Sequence, residues 1–96
     1  MNTIVLNSIV NNASSNTEGV KLYNILKVYI QNNRVVLLNV DNETPMSSSF
    51  LNSSLGALID DFGIVNLNSN LKLKATKSQF NRISNYIKKY SDIYAV

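Results

Sequence analysis

Residues 34–63 read RVVLLNVDNETPMSSSFLNSSLGALIDDFG, and this stretch decides the fold. Its first part, Arg34 to Asp41, is a near-continuous apolar run. Such a run, short and rich in Val and Leu, suits an inner strand covered on both faces. Asn42 to Met46, with Pro45, reads as a turn. Phe50, Leu51, Leu55, Leu58, Ile59 and Phe62 then fall on one stripe of a helix. Ser47 to Ser49 offer its caps and Gly63 its stop. A strand that turns directly into an amphipathic helix is half of a β-α-β unit.

The flanks supply the remaining elements. Thr3 to Val10 is short and β-branched and predicts a strand. Asn11 to Asn16 is a polar loop. Thr17 reads as an N-cap with Glu18 in the first turn, where the helix dipole favours an anion. From Gly19 to Gln31, Leu22, Tyr23, Leu26, Tyr29 and Ile30 form a wide apolar face, and Asn32-Asn33 ends the helix. Downstream, Ile64, Val65 and Leu67 read as a connecting segment. Leu71 to Ala75 alternates apolar and basic residues, as a half-exposed strand does. Thr76 to Gln79 has the form of a capping box, opening a last helix with Phe80, Ile83, Ile87 and Tyr90 on its core stripe.

The order β-α-β-α-β-α predicts a single small α/β domain over residues 1–96, with a mostly parallel or mixed sheet and helices packed against it. In open sheets of this kind, sites form beyond the carboxyl ends of the strands. The second strand leads there into Pro45-Met46-Ser47-Ser48-Ser49.

Composition narrows the chemistry. The chain has 96 residues, 45% hydrophobic and 16% charged, with neither cysteine nor histidine. Disulfides, thiolate metal sites, cysteine nucleophiles and any Ser-His-Asp triad are excluded. Catalysis would need carboxylates or lysines with shifted pKa, and no convergent cluster shows in the sequence, so a non-enzyme is expected. The only glycines are Gly19, Gly56 and Gly63, so there is no glycine-rich phosphate loop, and no cofactor is expected. Asp41, Glu43, Asp60 and Asp61 are the acids a hard cation would need, but Asp60 and Asp61 are adjacent on a helix and point in different directions, so no metal is expected either. No apolar run approaches the length of a membrane span, and the first residues lack a charged, signal-like start, so a cytoplasmic protein without membrane contact is expected.

The serines after the second strand have two uses. One serine caps the helix. A further one at the first turn can carry phosphate, because the exposed N–H groups and the dipole there favour an anion.

The quoted stretch resembles the STAS-like family of small bacterial domains. That family shows a glycine ahead of the first long helix, a strand of the form VVLDF, a serine-rich S-S-F and a helix carrying L-G-x-L. Gly19, Val35-Val36-Leu37-Leu38, Ser48-Ser49-Phe50 and Leu55-Gly56-Ala57-Leu58 occupy those places, and LKLKATKSQF is similar to the next strand and its turn into a helix. The similarity covers roughly residues 17–90. The wider family includes the anti-sigma-factor antagonists, whose D-S-S-G-L motif is phosphorylated on a serine by a kinase with a histidine-kinase-like ATPase fold. Ser48 matches that serine, Ser49 the second and Leu51 the leucine, whereas Ser47 stands for the aspartate and Phe50 for the glycine. Asn39 replaces the aspartate of VVLDF, and Asn52 and Ser53 replace acids that follow S-S-F.

The resemblance implies a regulatory module that binds a protein partner, such as a histidine-kinase-like ATPase or another regulator. The contact would comprise Met46, Ser47, Ser48, Ser49, Asn52 and Ser53, with Ser48 as the phosphorylation candidate and Met46 either an exposed apolar element or a packed loop residue. A second reading is a small basic nucleic-acid-binding protein. Lys72, Lys74, Lys77, Arg82, Lys88 and Lys89 would meet phosphates, and Tyr86, Tyr90 and Tyr94 would stack on bases. Against it, the net charge is only +3. A third reading is a phage or mobile-element inhibitor built on the same scaffold.

Overall fold

The computed structural model describes residues 2–40 and 44–94. Strand β1 (Asn2–Val5) is followed by a helical turn α1 (Leu6–Ile9) and helix α2 (Asn16–Gln31). Strand β2 (Val36–Val40) leads to α3 (Ser48–Leu51), a π-helical turn (Asn52–Gly56) and α4 (Ala57–Phe62), which form one central helix over 48–62. Helix α5 (Ile64–Asn70), strand β3 (Leu71–Ala75) and helix α6 (Lys77–Tyr94) complete the order.

The sheet is β1-β2-β3 and parallel throughout. Right-handed crossovers that advance in one direction place their helices on one face of a sheet. Accordingly α2 packs along the central helix and α6 touches both the central helix and β3. Ile4, Val36, Leu38, Val40 and Leu71 are buried beneath them with Leu22, Leu26, Phe50, Leu55, Leu58 and Ile83. Residues of the other parity form two rows across the sheet, Thr3-Leu37-Lys72 and Val5-Asn39-Lys74. These rows are exposed or half-buried. The expectation that β2 is covered on both faces is therefore corrected. Its apolar run is continuous, yet only alternate residues meet the helices.

Three element boundaries also differ from the sequence reading. The first strand stops at Val5, and Leu6 and Val10 join through a helical hydrogen bond of 3.2 Å that buries both side chains. The N-cap of α2 is Ser15, not Thr17: its side chain accepts from the Glu18 amide. The segment after Gly63 is a helix, because Leu67 is fully buried and outweighs the weak helix preference of its asparagines. The side-chain amides of Asn66 and Asn70 donate to carbonyls four residues back, those of Phe62 and Asn66.

Predicted stops hold at two places. Asn33 adopts φ 55°, with its N–H on Ile30 O and that of Arg34 on Tyr29 O, a paired closure of the helix end. Gly63 has φ 86°, which turns the chain sharply between α4 and α5. Among the described residues, no helix is long and apolar enough to cross a membrane.

Candidate functional site

Three loops meet at the carboxyl end of the sheet: the loop before α2, the approach to α3, and the start of α6. Ser47 joins the first two. Its N–H donates to Ala13 O at 2.9 Å, and its hydroxyl donates to Ser14 O at 2.9 Å. The same hydroxyl oxygen accepts the Phe50 amide at 3.1 Å, so Ser47 is the helix cap. The third loop is tied on by α6. Gln79 Nε2 donates to Thr44 O at 2.5 Å, and Arg82 Nη2 donates to Met46 O at 3.1 Å. Gln79 N also donates to Thr76 Oγ1 at 3.2 Å, which is the Thr76 half of the predicted capping box.

The loop before α2 has its own anchor. Glu18 is buried, and its carboxylate accepts the Asn11 amide at 2.5 Å and pairs with Lys21 Nζ at 2.6 Å. The Lys21 hydrogen bond and the Asn11 amide hold its carboxyl below the ordinary value, while burial pulls the other way. This charge fixes the loop on which Ser47 hangs.

Once Ser47 is committed to the cap, the next two serines are left outward. Ser48 and Ser49 are exposed on the first turn of α3. Ser53 and Ser54 instead fold back onto the helix. Ser53 donates to Ser49 O at 2.8 Å, and Ser54 donates to Phe50 O at 2.7 Å. They supply donors to carbonyls where the π turn disturbs the backbone ladder. Asn52 is exposed but accepts Tyr86 Oη–H at 2.6 Å. Met46 is not exposed, so of its two readings the packed one holds and the exposed contact is corrected. It is 6% accessible and sits in the core, because the bonds from α6 and the Ser47 clamp draw its chain inward. The outward face of the corner is therefore Ser48 and Ser49, with Asn52 a turn further on.

The central helix is held at both flanks by tyrosines. Tyr23 of α2 donates to Asp61, and Tyr90 of α6 donates to Asp60 at 2.8 Å. The adjacent carboxylates thus point to opposite sides, as their spacing predicts. Asp61 pushes the Tyr23 hydroxyl above its ordinary value. Asp41 and Glu43, named with them as candidate cation ligands, lie outside the described residues.

Two glycines permit the helix contacts. A Cβ on Gly19 would stand 1.9 Å from Ser53 Oγ and 2.6 Å from Phe50 O, and one on Gly56 would stand 2.5 Å from Tyr86 Oη. Sequence reading picked out both positions by pattern. Their physical reason is the absence of space between α2, the central helix and α6.

The six basic residues lie on β3 and α6. Lys72 and Lys88 line a groove beside β3, Lys74 stands on the open sheet face, and Lys77 and Lys89 are exposed on α6. Arg82 is half-buried and turns toward Met46. Tyr86 and Tyr90 lie 5.6 Å apart between centroids and give their hydroxyls to the central helix. The side chain of Tyr94 lies outside the described residues.

The chain finds no match among curated proteins or solved structures. A family model described as a STAS-like domain of unknown function matches residues 18–79. That stretch runs from the Glu18 anchor to the Gln79 tie and spans two of the three strands and the whole central helix. With its parallel sheet and helices on one face, the chain belongs to the STAS-like domains of unknown function.

Proposed function

We propose that this domain is a non-enzymatic regulatory module of the cytoplasm that docks a protein partner through the serine corner. One observation carries the reading. Ser47 is consumed by the cap, which leaves Ser48 and Ser49 outward at the carboxyl end of the central strand. A phosphate on Ser48 sits at the first turn of the helix, where its own chain tolerates the charge. Toward a partner, it adds about −1.5 to −2 charges and three hydrated oxygens to a contact that must otherwise lose its water. Modification therefore opposes docking without unfolding the domain. The partner class is a histidine-kinase-like ATPase or a comparable regulator. This choice rests on the family resemblance of Ser48-Ser49 to phosphorylated antagonists.

The test compares wild type, Ser48→Ala and Ser48→Asp as baits in lysate of a bacterium that encodes the domain, read by quantitative mass spectrometry. A partner retained on wild type and Ser48→Ala, and depleted about tenfold on Ser48→Asp, supports the switch. Equal retention on all three baits, with equal thermal stability, removes phosphorylation from the mechanism.

A further inference from the structure

Beside β3, on the side away from β2, the surface carries a groove of about 530 Å³. Its walls include Ile64 of α5, Leu73 of β3, and Phe80 and Ile87 of α6. Phe80 departs here from the sequence reading. It was expected on the core stripe, yet it is 49% exposed beside the strand. The rim carries Lys72 and Lys88, and among the described residues no acid lines the groove. Among the described residues no strand pairs with β3 on this side. In a parallel sheet, alternate residues of an edge strand turn their N–H and C=O groups outward, which is a template for an added strand. Ser91 also lines the groove, and its hydroxyl is shielded from solvent with no hydrogen-bond partner among the described residues.

We propose that this groove accepts an extended peptide segment of a partner protein, one that alternates apolar and acidic residues and adds to β3 as a fourth strand. Three features fit that occupant together. The free edge supplies main-chain hydrogen bonds. The apolar walls take every second side chain, because successive side chains of a strand point to opposite faces. Lys72 on the open face meets the intervening carboxylates, and Lys88 adds positive charge from the α6 wall. A second copy of this chain fits less well, since two β3 edges brought together would set Lys72 and Lys74 against their own counterparts. The surface is separate from the serine corner, so the two readings stand or fall independently.

The probe is a displayed library of random ten-residue peptides, panned on the intact domain at low salt. Enriched sequences should alternate Asp or Glu with Val, Ile, Leu or Phe. Their amide chemical-shift changes should fall on residues 71–75 and on the α6 face from Phe80 to Ser91. The double substitution Lys72→Glu, Lys88→Glu lies at exposed positions and should keep the fold, as an unchanged melting temperature will show. It should weaken these peptides by about tenfold and enrich basic sequences instead. Phe80→Ser should weaken both kinds. Enrichment without an acidic pattern, shifts centred elsewhere, indifference to the charge reversal, self-association through β3, or displacement by an oligonucleotide would each overturn the proposal.

Discussion

The Ser47 hydroxyl donates to the carbonyl of Ser14 while accepting the amide of Phe50, so one side chain both caps the central helix and fastens it to the loop after β1. Ser47→Ala should lower stability by about 1–2 kcal/mol, the range for a lost cap plus a lost tie. Ser48→Ala, one residue on, should change stability by less than about 0.5 kcal/mol, as expected for an exposed position. Urea denaturation of the pair separates the structural serine from the free one.

Met46 gives a second contrast. Buried in the core, Met46→Ala should cost about 2–5 kcal/mol, with a visible loss of melting temperature. Were it a surface contact, the substitution would leave stability unchanged and alter only partner binding. Thermal unfolding decides between them.

Gly19→Ala places a methyl group where Ser53 Oγ and the Phe50 carbonyl already stand. Ser53 can rotate, but the backbone oxygen cannot, so α2 must move off the central helix. The expected loss is about 1–3 kcal/mol. Gly19→Ala combined with Ser53→Ala should recover only part of it, measured as a double-mutant cycle in urea.

The Glu18 carboxyl has its folded pKa below the ordinary value of 4.5, held there by Lys21 and the Asn11 amide. Its contribution is therefore fully present above that ordinary value and is lost as pH falls through the lowered folded value. Glu18→Gln should flatten the acid limb of the stability curve while leaving the neutral-pH unfolding cooperative. Circular dichroism melts from neutral to acid pH measure both.

Much of the fold was legible because the signals were local. The alternation in Leu71 to Ala75 and the Asn32-Asn33 stop each depend on a few neighbouring residues. The parallel sheet followed from the alternation of strand and helix. Other features were set by distant contacts. Nothing near Ile64 announces a helix, which Leu67 creates by reaching the core. Met46 looks like a loop residue until Arg82 and Gln79 are seen to hold the loop inward. Phe80 shares its spacing with core residues, and only the end of the sheet at β3 leaves it facing solvent. For the site, pattern located the serine corner. It could not say which hydroxyl the cap would take, because that depends on the Ser14 carbonyl, 33 positions away.

The π turn from Asn52 to Gly56 has one more consequence. It holds a single residue beyond what an α-helix would use, and each helical residue turns the chain by about 100°. Deleting one residue there would restore an uninterrupted α-helical ladder, but the end bearing Ser48 would then be twisted against the end bearing Asp60 and Asp61. The surplus residue therefore works as an aiming device. It lets one rod satisfy tyrosines on two neighbours while its forward tip keeps a separate heading.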